Sequence, residues 1–293
     1  MKSNLSKSRY NHSLGVEKMA GMLAKIHGAD AQKAEFAGRY HDIAKCFSQE
    51  RANELVIHYE LPDKYLNNQA LSHSKIAAEI LKYEFGVVDE DILNAIRSHT
   101  TGRPEMSLLE EIVYVADAIE ENRDYPELKR LQREACQNLD AACFEIMSFA
   151  VQMIKEKGKQ IDEDTIKSRE FIKKRLEKTT MKNKETALNI AKMLSSKKAF
   201  DIAMIDISEK SSFADFFVNA SVSSERQLNA LAEEAQDFLF QEGYNPRGKE
   251  GRPESGWILI DGGDIIVNIF DKDVREKYSL DKIWSDCNIT IFE

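Results

Sequence analysis

The hydrophobic period of this chain changes once, and that change limits the fold more than any other feature. From residue 9 to about residue 178, apolar residues recur at i, i+3 and i+4, the spacing of helices that bury one face. Ile76, Ile80, Leu81 and Phe85 form one such stripe; Leu109, Ile112, Val113, Ala116 and Ile119 form another. The pattern predicts helices near 9–27, 31–46, 72–85, 89–98, 107–122, 138–157 and 163–177. Ser72 and Asp89 are expected as N-caps, and Gly28, Gly86 and Gly158 as stops. Beyond this region the period falls to two. Residues 201–207, 216–220, 257–261 and 265–270 read as strands, with helices over 185–198 and 223–242 and short ones near 271–277 and 279–285. Asp261-Gly262-Gly263-Asp264 is a hairpin-like turn, and Leu259 with its flanking strands is expected at the centre of the sheet.

Between the two patterns, Lys173, Lys174, Arg175, Lys178, Lys182 and Lys184 crowd together and read as a solvated helix end running into a linker. The fold class is therefore two domains. An all-α helical bundle occupies residues 1–178, and a small α/β domain, a mixed sheet with flanking helices, occupies 184–293. A chain of 293 residues is long enough to bury a core in each.

Met1 to His12 is polar and lacks the apolar run of a secretory signal, and no uncharged stretch is long enough for a membrane helix. Cys46, Cys136, Cys143 and Cys287 show no CxxC pairing, and Cys136 and Cys143 fall seven apart in one helical pattern. They read as free buried thiols of a reducing compartment, so the expected location is cytoplasmic, with no membrane partner. The net charge of −9 argues against broad nucleic-acid binding. Residues 183–293 hold 13 Lys+Arg against 20 Asp+Glu, a net of −7, leaving −2 for residues 1–182. The acidic half suits a basic partner.

All six histidines precede residue 100. His41-Asp42, set among His12, His73, His99 and Asp117, offers four imidazoles and two carboxylates, the donors that bind divalent transition metals. Projected from separate helices into a bundle core, such groups can meet at one centre. A carboxylate has two oxygens, so Asp42 can bridge two ions. Asp117 lies in the apolar run Tyr114-Val-Ala-Asp-Ala-Ile119 and needs a partner there, either a buried cation or a metal. His27 and His58 read as ordinary surface or core residues.

His41-Asp-Ile-Ala-Lys45 resembles the HDxxK motif of the HD phosphohydrolase superfamily. Arg9-Tyr-Asn-His-Ser13, His99-Thr-Thr-Gly102 and Ala116-Asp-Ala-Ile-Glu-Glu-Asn-Arg123 resemble its YqeK branch, the symmetrical diadenosine tetraphosphate hydrolases. This resemblance spans roughly residues 5–175. It implies one metal on His12, His41, Asp42 and Asp117, and a second on His73 and His99 bridged by Asp42. The two divalent transition metals would be Fe, with Mn or Co as substitutes. It further implies Asp42 and Lys45 as catalytic residues and Arg9, Thr100, Thr101, Gly102 and Arg123 around the phosphates of a dinucleoside polyphosphate cleaved to two ADP. The alternative is an HD nucleotide phosphatase of other specificity with a C-terminal protein-interaction domain. The GYP element of cyclic-dinucleotide phosphodiesterases is missing, and alarmone hydrolases, which use one metal, have no need of His73 and His99.

Residues 184–293 contain no histidine, nucleophile elbow or phosphate-cradling loop. Ala214-Asp-Phe-Phe-Val218, Ser224-Glu-Arg-Gln227, Gly251, Trp257-Ile-Leu-Ile-Asp261, Val267-Asn-Ile-Phe270 and Arg275-Glu-Lys-Tyr-Ser-Leu280 with Trp284 resemble the ribosomal silencing factor family, RsfS or Iojap. The resemblance implies a nucleotidyltransferase-like fold without catalytic carboxylates. It also implies binding to the large ribosomal subunit through protein L fourteen, which blocks subunit joining and represses translation. Trp257, Ile258, Asp261, Phe270 and Tyr278 are the residues assigned to that contact. Asn268 departs from the family's usual His, and Asn219-Ala-Ser221 from a Thr-Gly-like run. A homodimer is compatible with the chain. The fusion suggests that both activities serve conditions in which stress limits translation.

Overall fold

The computed structural model describes residues 5–211 and 213–292; the first four residues of the polar N-terminal stretch lie outside them. The chain divides into two compact units, Met1–Leu176 and Glu177–Glu293. No described helix is long and apolar enough to cross a membrane.

The first unit is helical: α1 (Lys7–His27), α2 (Ala31–Tyr40), α3 (Gln49–His58), α4 (Gln69–Tyr83), α5 (Glu90–Ser98), α6 (Leu108–Ile119), α7 (Leu128–Gln137), α8 (Leu139–Glu156) and the first part of α9 (Glu163–Ser196). α6 is the axis of the bundle. Its start is set by a capping box, in which Ser107 Oγ accepts from Glu110 N (3.3 Å) and Glu110 Oε2 accepts from Ser107 N (2.8 Å). Ile112, Val113, Val115, Ala116 and Ile119 are fully buried, and α1, α2, α5, α7 and α8 pack around the helix. Asp89 caps α5 as expected, while Ser72 lies buried inside α4, which begins three residues earlier.

Two expectations at the unit's functional end need correction. The helix predicted over 31–46 stops at Tyr40. Residues 41–46 instead form tighter turns, with Ile43 N bonding Tyr40 O, Lys45 N bonding Asp42 O and Phe47 N bonding Ala44 O. The sequence pattern does not predict α3 or α7, and the break at Asn138 leaves Cys136 on α7 and Cys143 on α8, so the two do not share a helix. Of the four cysteines only Cys143 is buried; Cys46 is exposed and Cys136 and Cys287 are half-buried.

The proposed linker is also absent. α9 runs unbroken through residues 172–186, since nothing between Glu163 and Ser196 is Gly or Pro and most residues are good helix formers. Ser168 and Ile172 are buried in the first unit; Ala187, Ile190, Ala191 and Leu194 are buried in the second.

The second unit is a six-stranded mixed sheet of β1 (Phe200–Asp206), β2 (Phe216–Val222), β3 (Gly248–Arg252), β4 (Trp257–Asp261), β5 (Ile265–Asp271) and β6 (Asn288–Phe292). Its order is β3-β4-β5-β2-β1-β6, with only β2 and β5 parallel. The helices are the last part of α9, α10 (Glu225–Gln241), α11 (Lys272–Tyr278) and α12 (Leu280–Ile283). Period-two alternation turns Ile202, Met204, Phe216, Val218, Ile258, Ile260, Val267 and Ile269 into one core with Leu194, Leu228 and Leu239. The opposite face carries a smaller cluster of Ile205, Phe217 and Ile266 with Leu259 and Trp284. The centre of the sheet is β5 and β2, not Leu259, whose strand lies second from the edge. The two edge strands, β3 and β6, escaped sequence reading because they bury almost nothing and so carry no alternation.

Candidate metal centre and partner face

Six donor side chains meet at one end of the helical unit. His12 comes from α1, His41 and Asp42 from the turn after α2, His73 from α4, His99 from the residue that ends α5, and Asp117 from the last turn of α6. His12, His41, Asp42, His73 and His99 are buried at 7% exposure or less. His12, His41 and Asp42 form one close trio, Asp42, His73 and His99 another, and His41, His99 and Asp117 a third. Asp42 sits between the first two, its Oδ2 3.4 Å from His41 Nε2 and its Oδ1 3.2 Å from His73 Nε2 and 3.6 Å from His99 Nε2. Asp117 Oδ1 lies 2.9 Å from His12 Nε2.

Each imidazole is oriented by an acceptor at its outer nitrogen. His41 Nδ1 donates to Gly38 O (2.7 Å), His73 Nδ1 to Gln69 O (3.1 Å) and His99 Nδ1 to Ile96 O (2.8 Å), while His12 Nδ1 faces Glu120 Oε1 (3.1 Å). With the outer nitrogens as donors, all four Nε2 lone pairs turn inward. His12 Nε2, His41 Nε2 and Asp42 Oδ1 are buried without a hydrogen-bond partner, a costly state for polar atoms. Converging lone pairs and orphaned buried donors fit a divalent transition metal.

Charge follows the same geometry. Burial pushes His99 down to about 4 and lowers His73 as well, so both are neutral and able to ligate at pH 7. Burial opposes the charge of His41, but the Asp42 carboxylate beside it outweighs that and raises it. Burial likewise opposes the charges of Asp42 and Asp117. The surrounding imidazoles nevertheless hold both carboxyls well below the usual carboxylate range.

A ring of cations surrounds the cluster. Arg9 Nη1 lies 2.8 Å from Asp42 Oδ2, and Arg123 Nη2 donates to Asp117 Oδ1 (2.7 Å). Lys45 Nζ is 3.0 Å from His73 Nε2 and 3.9 Å from Asp42 Oδ1, and burial lowers its pKa. Thr100 Oγ1 is 3.2 Å from both His73 Nε2 and His99 Nε2. Thr101 and Gly102, expected beside it, are elsewhere. The Thr101 hydroxyl is buried and donates to Gly102 O, while Gly102, at φ 66°, packs against Ser168 and Met147.

From this ring a cleft of about 490 Å³ opens, polar where Lys45, His99, Thr100, Asp117 and Arg123 line it and apolar where Tyr125, Ile146, Phe149 and Met153 do. Sequence reasoning missed this wall and missed Glu120. The available signals were Glu120 inside the quoted 116–123 motif and the i, i+4 pair Phe149 and Met153, apolar yet exposed on α8.

On the sheet of the second unit, Trp257 lies against Phe270 and Tyr278, with ring centroids 5.1 Å apart in each case. Tyr278 is exposed and Trp257 and Asp261 are half-buried, so these can meet a partner. Ile258 and Phe270 cannot, being 0% and 1% exposed; they support the face from beneath. A chain of hydrogen bonds crosses this face. Trp257 Nε1 donates to Asn268 Oδ1 (3.1 Å), Asn268 Nδ2 to Asn219 Oδ1 (3.0 Å) and Asn219 Nδ2 to Asp281 Oδ1 (3.0 Å), while Arg275 Nε donates to Asp281 Oδ2 (3.1 Å).

A helical unit with clustered His and Asp donors and a six-stranded mixed-sheet unit define an HD-domain hydrolase joined to a second module. Family models match accordingly, an HD domain over residues 9–122 and a ribosomal silencing factor during starvation over residues 180–293. The chain is 39% identical over 168 residues to the symmetrical bis(5'-nucleosyl)-tetraphosphatase of Halalkalibacterium halodurans, covering 57% of this chain and 89% of that protein. It is 36% identical over 105 residues to the ribosomal silencing factor RsfS of Bacillus subtilis, covering 36% of this chain and 89% of that one. The crystal structure of a "predicted HD superfamily hydrolase involved in NAD metabolism" from Clostridium acetobutylicum superposes with a TM-score of 0.57 at 39% identity, over 59% of this chain and 93% of that one. The chain belongs to the family of the symmetrical bis(5'-nucleosyl)-tetraphosphatases through its first unit and to the ribosomal silencing factor family through its second.

Proposed function

We propose that the first unit hydrolyses diadenosine tetraphosphate symmetrically to two ADP, and that the second binds the large ribosomal subunit and blocks subunit joining. The convergence of four inward-facing Nε2 atoms on both oxygens of Asp42 carries the first half of this reading. His12, His41, Asp42 and Asp117 would hold one divalent ion, and Asp42, His73 and His99 a second, with iron as the favoured metal and manganese or cobalt as substitutes. Bound there, two such ions supply charge neutralisation on the attacked phosphate and a water of lowered pKa.

The chain's own residues do the rest. Arg9, Lys45 and Arg123 surround the centre and are placed to neutralise the phosphate chain, and the Thr100 hydroxyl can donate to it. The cleft walled by Tyr125, Ile146, Phe149 and Met153 takes a nucleoside arm, apolar base inward and phosphates toward Lys45 and Arg123. Seating an arm there, with the phosphates on this cation ring, places an inner phosphate at the centre.

For the second unit, the Trp257–Tyr278 pair with Asp261 supports a contact with a basic partner, assigned to protein L fourteen. The test is a crossed pair of variants. Asp42→Ala, loaded with Fe, Mn or Co, is expected to lose turnover while still cosedimenting with large subunits; Trp257→Ala is expected to do the reverse. Full turnover in Asp42→Ala would refute the assigned centre, and unchanged cosedimentation of Trp257→Ala would refute the assigned face.

A further inference from the structure

We infer that Glu120 is a positioning residue that fixes the tautomer of His12, with Gly15 and Asn122 built around it for that purpose. Three of the four clustered imidazoles are oriented by backbone carbonyls; only His12 is oriented by a side chain. That side chain is 1% exposed, and no Lys or Arg among the described residues is paired with it. Its Oε1 lies 3.1 Å from His12 Nδ1, and its Oε2 accepts twice from Asn122, from N at 2.7 Å and Nδ2 at 2.8 Å. Gly15, one helical turn after His12 on α1, leaves room for it, since a Cβ there would drive into Glu120 Oε2. The pocket is thus shaped to a carboxylate that accepts at both ends, and an acceptor at Nδ1 leaves the His12 Nε2 lone pair facing Asp42 and Asp117.

The need for a carboxylate rather than an amide follows from donor counting. In Glu120→Gln the amide group has one NH2. Turned toward Asn122, it meets two N–H donors. Turned toward His12, it must donate to Nδ1, which moves the imidazole proton to Nε2 and points it at the ligand cluster. The second arrangement satisfies every hydrogen bond, so the variant should keep its fold and reverse the tautomer.

This inference rests on His12 being a metal ligand, and its test separates the two claims. On metal-free protein labelled with nitrogen-15 at histidine, long-range nitrogen–proton correlation should show a His12 Nδ1 proton in the unsubstituted chain and none at Nδ1 in Glu120→Gln, whatever Nε2 carries toward Asp117. Titration with Mn or Co should show Glu120→Gln weakened about 10–100-fold at the affected site, the loss typical of removing such a partner. A His12 Nδ1 without a proton in the unsubstituted chain would overturn the inference without any variant. So would unchanged tautomer and affinity in Glu120→Gln while His12→Ala loses metal. Metal affinity retained in His12→Ala would instead overturn the ligand assignment beneath it.

Discussion

Lys45 sits where two demands meet: its ammonium lies 3.0 Å from His73 Nε2 and 3.9 Å from Asp42 Oδ1, yet its side chain also lines the cleft. In the proposed reaction Lys45 stabilises phosphate charge rather than holding metal. Lys45→Ala should therefore retain bound metal but lose about 10²–10³ in kcat, the range for removing one donor to developing charge. Steady-state kinetics beside metal analysis checks this; a metal-depleted variant with normal turnover per bound metal would assign Lys45 to the ligand shell instead. The donor set was legible at this scale because all six histidines precede residue 100, Asp117 is a charge in an apolar run, and the motifs around His12, His41-Asp42, His99 and Asp117 resemble the HD family. Thr101 and Gly102 were misplaced because a turn's sequence does not say which side chain faces inward: Thr100 faces the histidines and Thr101 the backbone.

At the scale of elements, α6, α8 and α9 are pinned by one cation shared between two carboxylates. Arg175 Nη2 donates to Glu111 Oε1 and Asp140 Oδ1, each at 2.7 Å. Burial raises the Glu111 carboxyl to about 7 despite Arg175, from 4.5 in an exposed chain. Between those values the folded unit binds a proton that the unfolded chain has released, so stability falls as pH rises from about 4.5 to 7 and levels above. The change is on the order of 1–3 kcal/mol. Urea midpoints followed by far-ultraviolet circular dichroism should show this slope in the unsubstituted chain and lose it in Glu111→Gln; an equal slope in both would contradict the assignment.

In the sheet, Asn268 links Trp257 to Asn219, and its position is fully buried. Asn268→Ala leaves the indole N–H and the Asn219 carbonyl unpaired and should cost about 1–3 kcal/mol, read by tryptophan fluorescence. A cost near zero would mean that the polar chain is dispensable. Long amphipathic helices and the buried strands were legible because their period reflects one-sided burial. The break at Tyr40 was not, because the apolar residues Ile43 and Ala44 continue a helical spacing through tighter turns. Nor was the continuity of α9 legible, since a run of lysines describes exposure and leaves backbone conformation open.

Across the whole molecule, the probes are partitioned. All six histidines lie in the first unit and both tryptophans, Trp257 and Trp284, in the second. Chelation of bound metal should therefore lower the thermal transition seen by circular dichroism and leave the tryptophan transition in place, as expected when a ligand binds one folded unit. Equal shifts of both would show that the two units unfold as one. The most direct test of the central claim is the product distribution from diadenosine tetraphosphate with metal-replete protein, resolved by chromatography. ADP alone is expected, because the proposed seating of a nucleoside arm in the cleft would bring an inner phosphate to the Asp42 cluster. ATP with AMP in equal amounts would contradict that placement.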